Sequence, residues 1–123
     1  MDLDLAIQKH AQWKFKFHSA IQTLQSNGVA EPMDVAFIAK DNNCEFGKWL
    51  HSDAKQQFGQ LPSYAKCLAG HAEFHLAASK VAAAVNAHKA ADALHMISAG
   101  SAFAEASKKV GVSIIELKNQ TRK

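Results

Sequence analysis

From Leu3 to Leu24 the apolar residues return every three or four positions, placing Leu3, Ile7, Phe17, Ile21 and Leu24 on one face of a helix, and Asn27-Gly28 supplies a stop. Val29 to Asp41 contains Pro32 and a short apolar piece, Val35-Ala36-Phe37-Ile38. The polar run Asp41-Asn42-Asn43 follows, and the whole stretch reads as a connector that caps a second helix. That second helix is short, from Cys44 to about Ala54. Gly59 and Pro62 break the chain again, and Pro62 suits the first turn of a third helix that runs to about Val85 with Gly70 as its one interior breaker. Asn86-Ala87-His88 makes the next turn. A fourth helix is predicted from about Lys89 to Leu117, where Met96, Phe103, Val110 and Leu117 recur every seven residues, and Lys118 to Lys123 reads as a polar tail.

Three long helices and a short one, with brief loops and no strand pattern, predict an all-α protein: an antiparallel four-helix bundle built as one domain over residues 1–123. The fourth helix carries a second apolar row, Leu94 and Ile97, beside its first. A face wider than one core needs points to a partner, of which a homodimer is the simplest; burial of both rows within one chain is the alternative.

Composition narrows this picture without redirecting it. With 48% hydrophobic and 20% charged residues the chain has the balance of a globular protein. The formal net charge of +3 is spread over lysines that lie within turns of acidic or amide residues, so no basic stripe forms and nucleic acid is not implied. The start, MDLDLAIQKH, lacks the features of a secretory signal, and no apolar run approaches the roughly 18 residues of a membrane helix, so a cytoplasmic protein without membrane insertion is expected. Two cysteines, Cys44 and Cys67, in such a compartment read as thiol, ligand or packing rather than disulfide.

The histidines carry the chemistry. Leu3, His10, Phe17 and Leu24 are spaced by seven, which sets His10 in the middle of an apolar face. A lone histidine there is ordinarily a satisfied core residue. His71 and His75, however, are four apart and stack one turn from each other, a separation from which two imidazoles can meet one metal. Both lie inward, His75 in the series Leu61, Leu68, Ala82 and His71 in the series Tyr64, Ala78, Val85. With Cys44 as a fourth donor, three imidazoles and a thiolate make a closed tetrahedral site of charge about +1 that favours zinc. Cys67, one turn before His71, is an alternative thiolate, with a packing role as its plainer reading. His51 follows Cys44 by seven residues but sits at the end of a short helix and reads as solvated, and His18, His88 and His95 read as surface residues. Trp13, Phe46, Trp49 and Phe74 flank the candidates as an apolar wall, and Gly47 lets the short helix approach a neighbour closely.

The segments His10-Ala11-Gln12-Trp13-Lys14, Cys44-Glu45-Phe46-Gly47-Lys48-Trp49-Leu50 and His71-Ala72-Glu73-Phe74-His75 resemble, in the same order, the three motifs of the chemoreceptor zinc-binding (CZB) domain family. The resemblance implies a helical bundle, usually dimeric, that holds zinc through His10, Cys44, His71 and His75. It also implies a regulatory role in bacterial signalling of the chemotaxis or cyclic-di-GMP type, with a chemoreceptor or diguanylate cyclase as partner, responsive to zinc or to oxidation of the thiolate. No such output domain is found between the first methionine and the polar tail, so a free-standing member and an excised piece are both open.

Other classes fit less well. A zinc that only stabilises a dimer is the main alternative. A di-iron bundle would need carboxylates, yet the first helix has no Glu and Glu73 projects away from its neighbouring histidines. Haem attachment lacks C-x-x-C-H, and a hydrolase of the H-E-x-x-H type would need an acid where Ala72 stands, so no enzyme is expected.

Overall fold

The Asp2 carboxylate accepts a hydrogen bond from the Leu5 amide at 3.0 Å and so starts the first helix, α1 (Leu3–Gln25). The helix ends where Asn27 takes a left-handed conformation, φ 61°, and the Gly28 amide donates back to the Thr23 carbonyl at 2.9 Å. These details come from a computed structural model that describes residues 1–121. Among them are seven helices and no strand, an all-α helical bundle as the hydrophobic pattern predicts.

The segment expected to be only a connector contains a helix of its own, α2 (Val35–Ala39), whose first turn is capped by the Asp34 carboxylate at 3.1 Å from the Phe37 amide. Five residues are too few to show a helical period, but the cap and the packing of α2 on the long helix that begins at Pro62 stabilise it. The short helix predicted from Cys44 to Ala54 is two helices, α3 (Glu45–Leu50) and α4 (Asp53–Phe58), because Ser52 leaves helical geometry at φ −124°, ψ −98°. Cys44 stands just outside α3 as its cap.

The long third helix, α5 (Pro62–Asn86), begins at Pro62 as expected, and the chain turns away just past its end at His88, which adopts a left-handed φ of 59°. The fourth predicted helix is interrupted. It consists of α6 (Ala90–Met96) and α7 (Ala102–Thr121), separated by a turn in which Gly100 has φ 82° and the Ser101 hydroxyl accepts the Ala104 amide at 3.1 Å. The seven-residue series from Met96 to Leu117 runs across this break, which is why the spacing hid it. The expected polar tail is helical through Thr121, and the Lys118 ammonium meets the Asp4 carboxylate at 2.6 Å; its last two positions, Arg122 and Lys123, lie outside the described residues.

α1, α5 and α7 enclose the core, with α6 packed against α1 and α5. Phe103 sits 5.5 Å from both Phe17 and Phe74, ring centroid to centroid, and Ile21, Val81, Val85, Ile114 and Leu117 fill the remaining space. Burying such side chains stabilises the fold by roughly 1.5–3 kcal/mol each. Of the second apolar row expected on the fourth helix, Ile97 is buried within the chain and Leu94 is 40% exposed. No helix among the described residues is long and apolar enough to cross a membrane.

Candidate metal centre

The core ends, toward α2 and α3, in four side chains that face one another. His10 comes from the middle of α1, His71 and His75 from successive turns of α5, and Cys44 from the residue preceding α3. One donor atom from each lies within 4.8 Å of all the others. The His71 Nε2 is 3.0 Å from the His10 Nε2 and 3.1 Å from the His75 Nε2. The Cys44 Sγ is 3.3 Å from His71, 3.6 Å from His75 and 3.9 Å from His10, again at Nε2.

The rings are oriented from behind. His10 Nδ1 lies 2.7 Å from the Ala6 carbonyl and His75 Nδ1 lies 2.9 Å from the Ile38 carbonyl. A carbonyl oxygen only accepts, so each Nδ1 carries the proton and each Nε2 turns a lone pair inward. The Ile38 carbonyl belongs to α2, and the unforeseen helix thereby contributes to the site, since the carbonyls of its last turn have no partner within the helix. Cys44 is held by the Gly47 amide, which donates to Sγ at 3.3 Å, so the sulfur that faces the histidines also caps α3. Phe46 and Phe74 wall the cluster, their centroids 5.7 and 5.3 Å from that of His10.

Gly47 has a specific steric cause. A Cβ there would stand 1.6 Å from the Asp41 carbonyl oxygen, so the close neighbour expected from the sequence is the turn immediately before Cys44. The same turn aims the Asp41 carboxylate at His51, 2.8 Å from its Nε2, with His71 Nδ1 3.9 Å away on the other side.

Burial keeps the cluster uncharged. Desolvation lowers the pKa of all three histidines, partly opposed at His10 and His75 by their carbonyl partners, and for His71, with the neighbouring imidazoles adding to the effect, the value falls to about 2. The Cys44 thiol is raised by burial, against the Gly47 amide hydrogen bond that lowers it. Inward lone pairs about 3 Å apart repel unless something positive lies between them, and the two available protons, on Cys44 and on one nitrogen of His71, cannot serve all four atoms. A tetrahedral zinc with ordinary bond lengths sets its nitrogen and sulfur ligands about 3.3 to 3.6 Å apart, close to the separations found here. The donor set therefore fits a divalent ion that prefers nitrogen and sulfur over oxygen.

All four candidates named from the sequence thus meet, and the rivals stand apart. Cys67 is buried outside the cluster, its thiol pushed up to about 11 by burial. His18, His88 and His95 are exposed, His51 is solvated but paired with Asp41, and Glu73 faces solvent. Sequence reasoning missed Asp41, Ala6 and Ile38. Main-chain carbonyls leave no signature in side-chain types, and Asp41 was legible only as part of a polar turn.

The family model for the chemoreceptor zinc-binding domain matches residues 10–82, from the first of the four convergent side chains past the last. In comparisons with curated proteins and with solved structures, nothing matches.

Proposed function

This chain belongs to the chemoreceptor zinc-binding domain family, whose metal is zinc, and from that premise we propose that it is a regulatory module in which His10, Cys44, His71 and His75 hold one zinc ion. The observation that carries this reading is the convergence of three imidazole nitrogens and a sulfur with at most two protons to share among four facing atoms. Zinc bound there supplies a positive charge common to four donors from three separate segments. His10 then anchors α1, His71 and His75 anchor α5, and Cys44 anchors the turn that begins α3, so the arrangement of these segments depends on whether the donors are engaged.

Cys44 is the least buried of the four and borders a groove lined by Lys9, Trp13, Lys16 and Phe46. An open path to the sulfur supports response to zinc level or to thiolate oxidation, in bacterial signalling of the chemotaxis or cyclic-di-GMP type and in the cytoplasm. A homodimer is the partner arrangement we favour, since Leu94, Val112 and Ile115 leave apolar surface on the α6–α7 arm. Complete burial of His71 and near-complete burial of His10 and His75 favour a second reading, a zinc that is purely structural.

Metal analysis of protein purified without added metal tests the proposal. One zinc per chain, absent from the His71→Ala variant, is expected; iron, or no metal, overturns it. Titration against a zinc chelator separates the two readings, because a sensing site releases zinc as the chelator strengthens across the cellular range and a structural one does not.

A further inference from the structure

The four donors leave one buried polar atom unexplained. His71 is fully buried, and its Nδ1 has no hydrogen-bond partner. When Nε2 ligates zinc, Nδ1 must carry the ring proton, and a buried N–H without an acceptor costs about 1–3 kcal/mol. His10 and His75 each have a carbonyl for this purpose; His71 has none. The group facing it is the Asp41 carboxylate, whose Oδ2 stands 3.9 Å away, about 1 Å longer than an ordinary hydrogen bond and too near for an intervening water.

We propose that Asp41 is a positioning residue of the zinc site, accepting the Nδ1 proton of His71 when zinc is bound. This rests on the zinc reading given above. Charge supports it: three neutral imidazoles, one thiolate and a divalent ion sum to about +1, and one carboxylate beside them makes the buried unit neutral. Chain geometry supports it independently. Because Gly47 lies directly against the Asp41 carbonyl, the backbone of Asp41 is keyed to the helix that Cys44 caps. One turn therefore delivers both a ligand and the carboxylate behind another ligand. His51, 43% exposed, holds the same Oδ2 at 2.8 Å from the solvent side and keeps the carboxylate directed toward the site.

The test compares Asp41→Asn with wild type and His71→Ala, each titrated with zinc against a chromogenic chelator, and adds the thermal midpoint of each metal-free chain. Asp41→Asn is expected to bind zinc roughly ten- to hundredfold more weakly while its metal-free midpoint stays near that of wild type, the range usual for removing the partner of a ligating histidine. Wild-type zinc affinity in Asp41→Asn, alongside loss of zinc in His71→Ala, overturns the role of Asp41 and leaves the metal site standing. Retention of zinc by His71→Ala overturns the site itself. Should Asp41→Asn fail to fold, long-range proton–nitrogen NMR of the zinc-loaded wild type decides: a slowly exchanging, strongly downfield proton on His71 Nδ1 is expected, and a rapidly exchanging one overturns the proposal.

Discussion

Phe74 and His75 are neighbours on α5, yet they belong to regions held together by different physics. Around Phe74, with Phe17 and Phe103, apolar rings meet at 5.5 Å and burial alone stabilises the contact. Around His75, atoms that face each other at 3.1 to 3.6 Å are lone pairs and a sulfur, and the short segments that bring them there, α2 and α3, are five and six residues long. The first region is stable because of what it excludes. On the zinc reading proposed above the second gains stability from a cation that it acquires, which would make the long-helix core a fixed platform and the α2–α3 side the responsive part.

The widest expected separation between the two comes from Phe103→Ala and Cys44→Ser. Removing the Phe103 ring leaves a cavity in the core and is expected to cost about 3–5 kcal/mol in denaturant unfolding, with zinc or without it. The serine oxygen can still accept the Gly47 amide, so Cys44→Ser should leave the metal-free chain near wild-type stability and abolish only the gain on adding zinc. Equal losses from both variants in the metal-free chain would show that the regions are not energetically distinct.

Gly47→Ala attacks the responsive side through its backbone. A methyl 1.6 Å from the Asp41 carbonyl oxygen forces the turn away from α3, and because main chain yields less readily than a side chain, a loss of about 3 kcal/mol is expected, at the upper end for overpacking. Zinc retention should fall with it, since Cys44 moves with the same turn. A variant that unfolds and binds zinc like wild type would mean that the turn repacks without disturbing the ligands.

Acid offers a graded version of the comparison. The folded pKa of His71 is depressed from 6.5 to about 2, so the unfolded chain binds its proton first as pH falls. The stabilising contribution is fully present above pH 6.5 and is lost progressively below it, by about 2 kcal/mol near pH 5 from this residue alone. His10 and His75, also depressed, add in the same direction. Denaturant midpoints of chelator-treated protein measured between about pH 7.5 and 5 check the sign, and stability that rises on acidification would contradict the burial of neutral rings.

Much of the platform was legible in the sequence, because a long buried face repeats. Leu3, His10 and Phe17 on α1 and Tyr64, His71, Ala78 and Val85 on α5 are all buried where the seven-residue series put them. The periodic signal failed where structure is short or carried by the backbone. Gly100 and the two flanking serines broke the fourth helix without disturbing its series, and α2 has fewer residues than two helical turns. At the site the four donors announced themselves by type and spacing, whereas what orients them did not: the Ala6 carbonyl is main chain within α1, and the Ile38 carbonyl and the Asp41 carboxylate reach α5 from distant segments, Ile38 across 37 residues.

Asn86 shows how small such a hidden contact can be and still bear on the site. Its sequence context reads only as a turn, but its side chain reaches back to the segment before α2, accepting the Met33 amide at 2.9 Å and donating to the Met33 carbonyl at 2.7 Å. This pair imitates one rung of a β-ladder and pins the approach to α2 against the C-terminus of α5, which in turn fixes the Ile38 carbonyl behind His75. The side chain is exposed, so water can replace both bonds, and Asn86→Ala should cost only about 1 kcal/mol in global unfolding. The loss should be local: hydrogen exchange at the Phe37 and Ile38 amides, which donate to Asp34, is expected to speed up while the core of α7 is unchanged. Unaltered exchange in α2 would mean that Asp34 and the packing on α5 hold the helix without the clamp, and that the responsive side is stiffer than its short elements suggest.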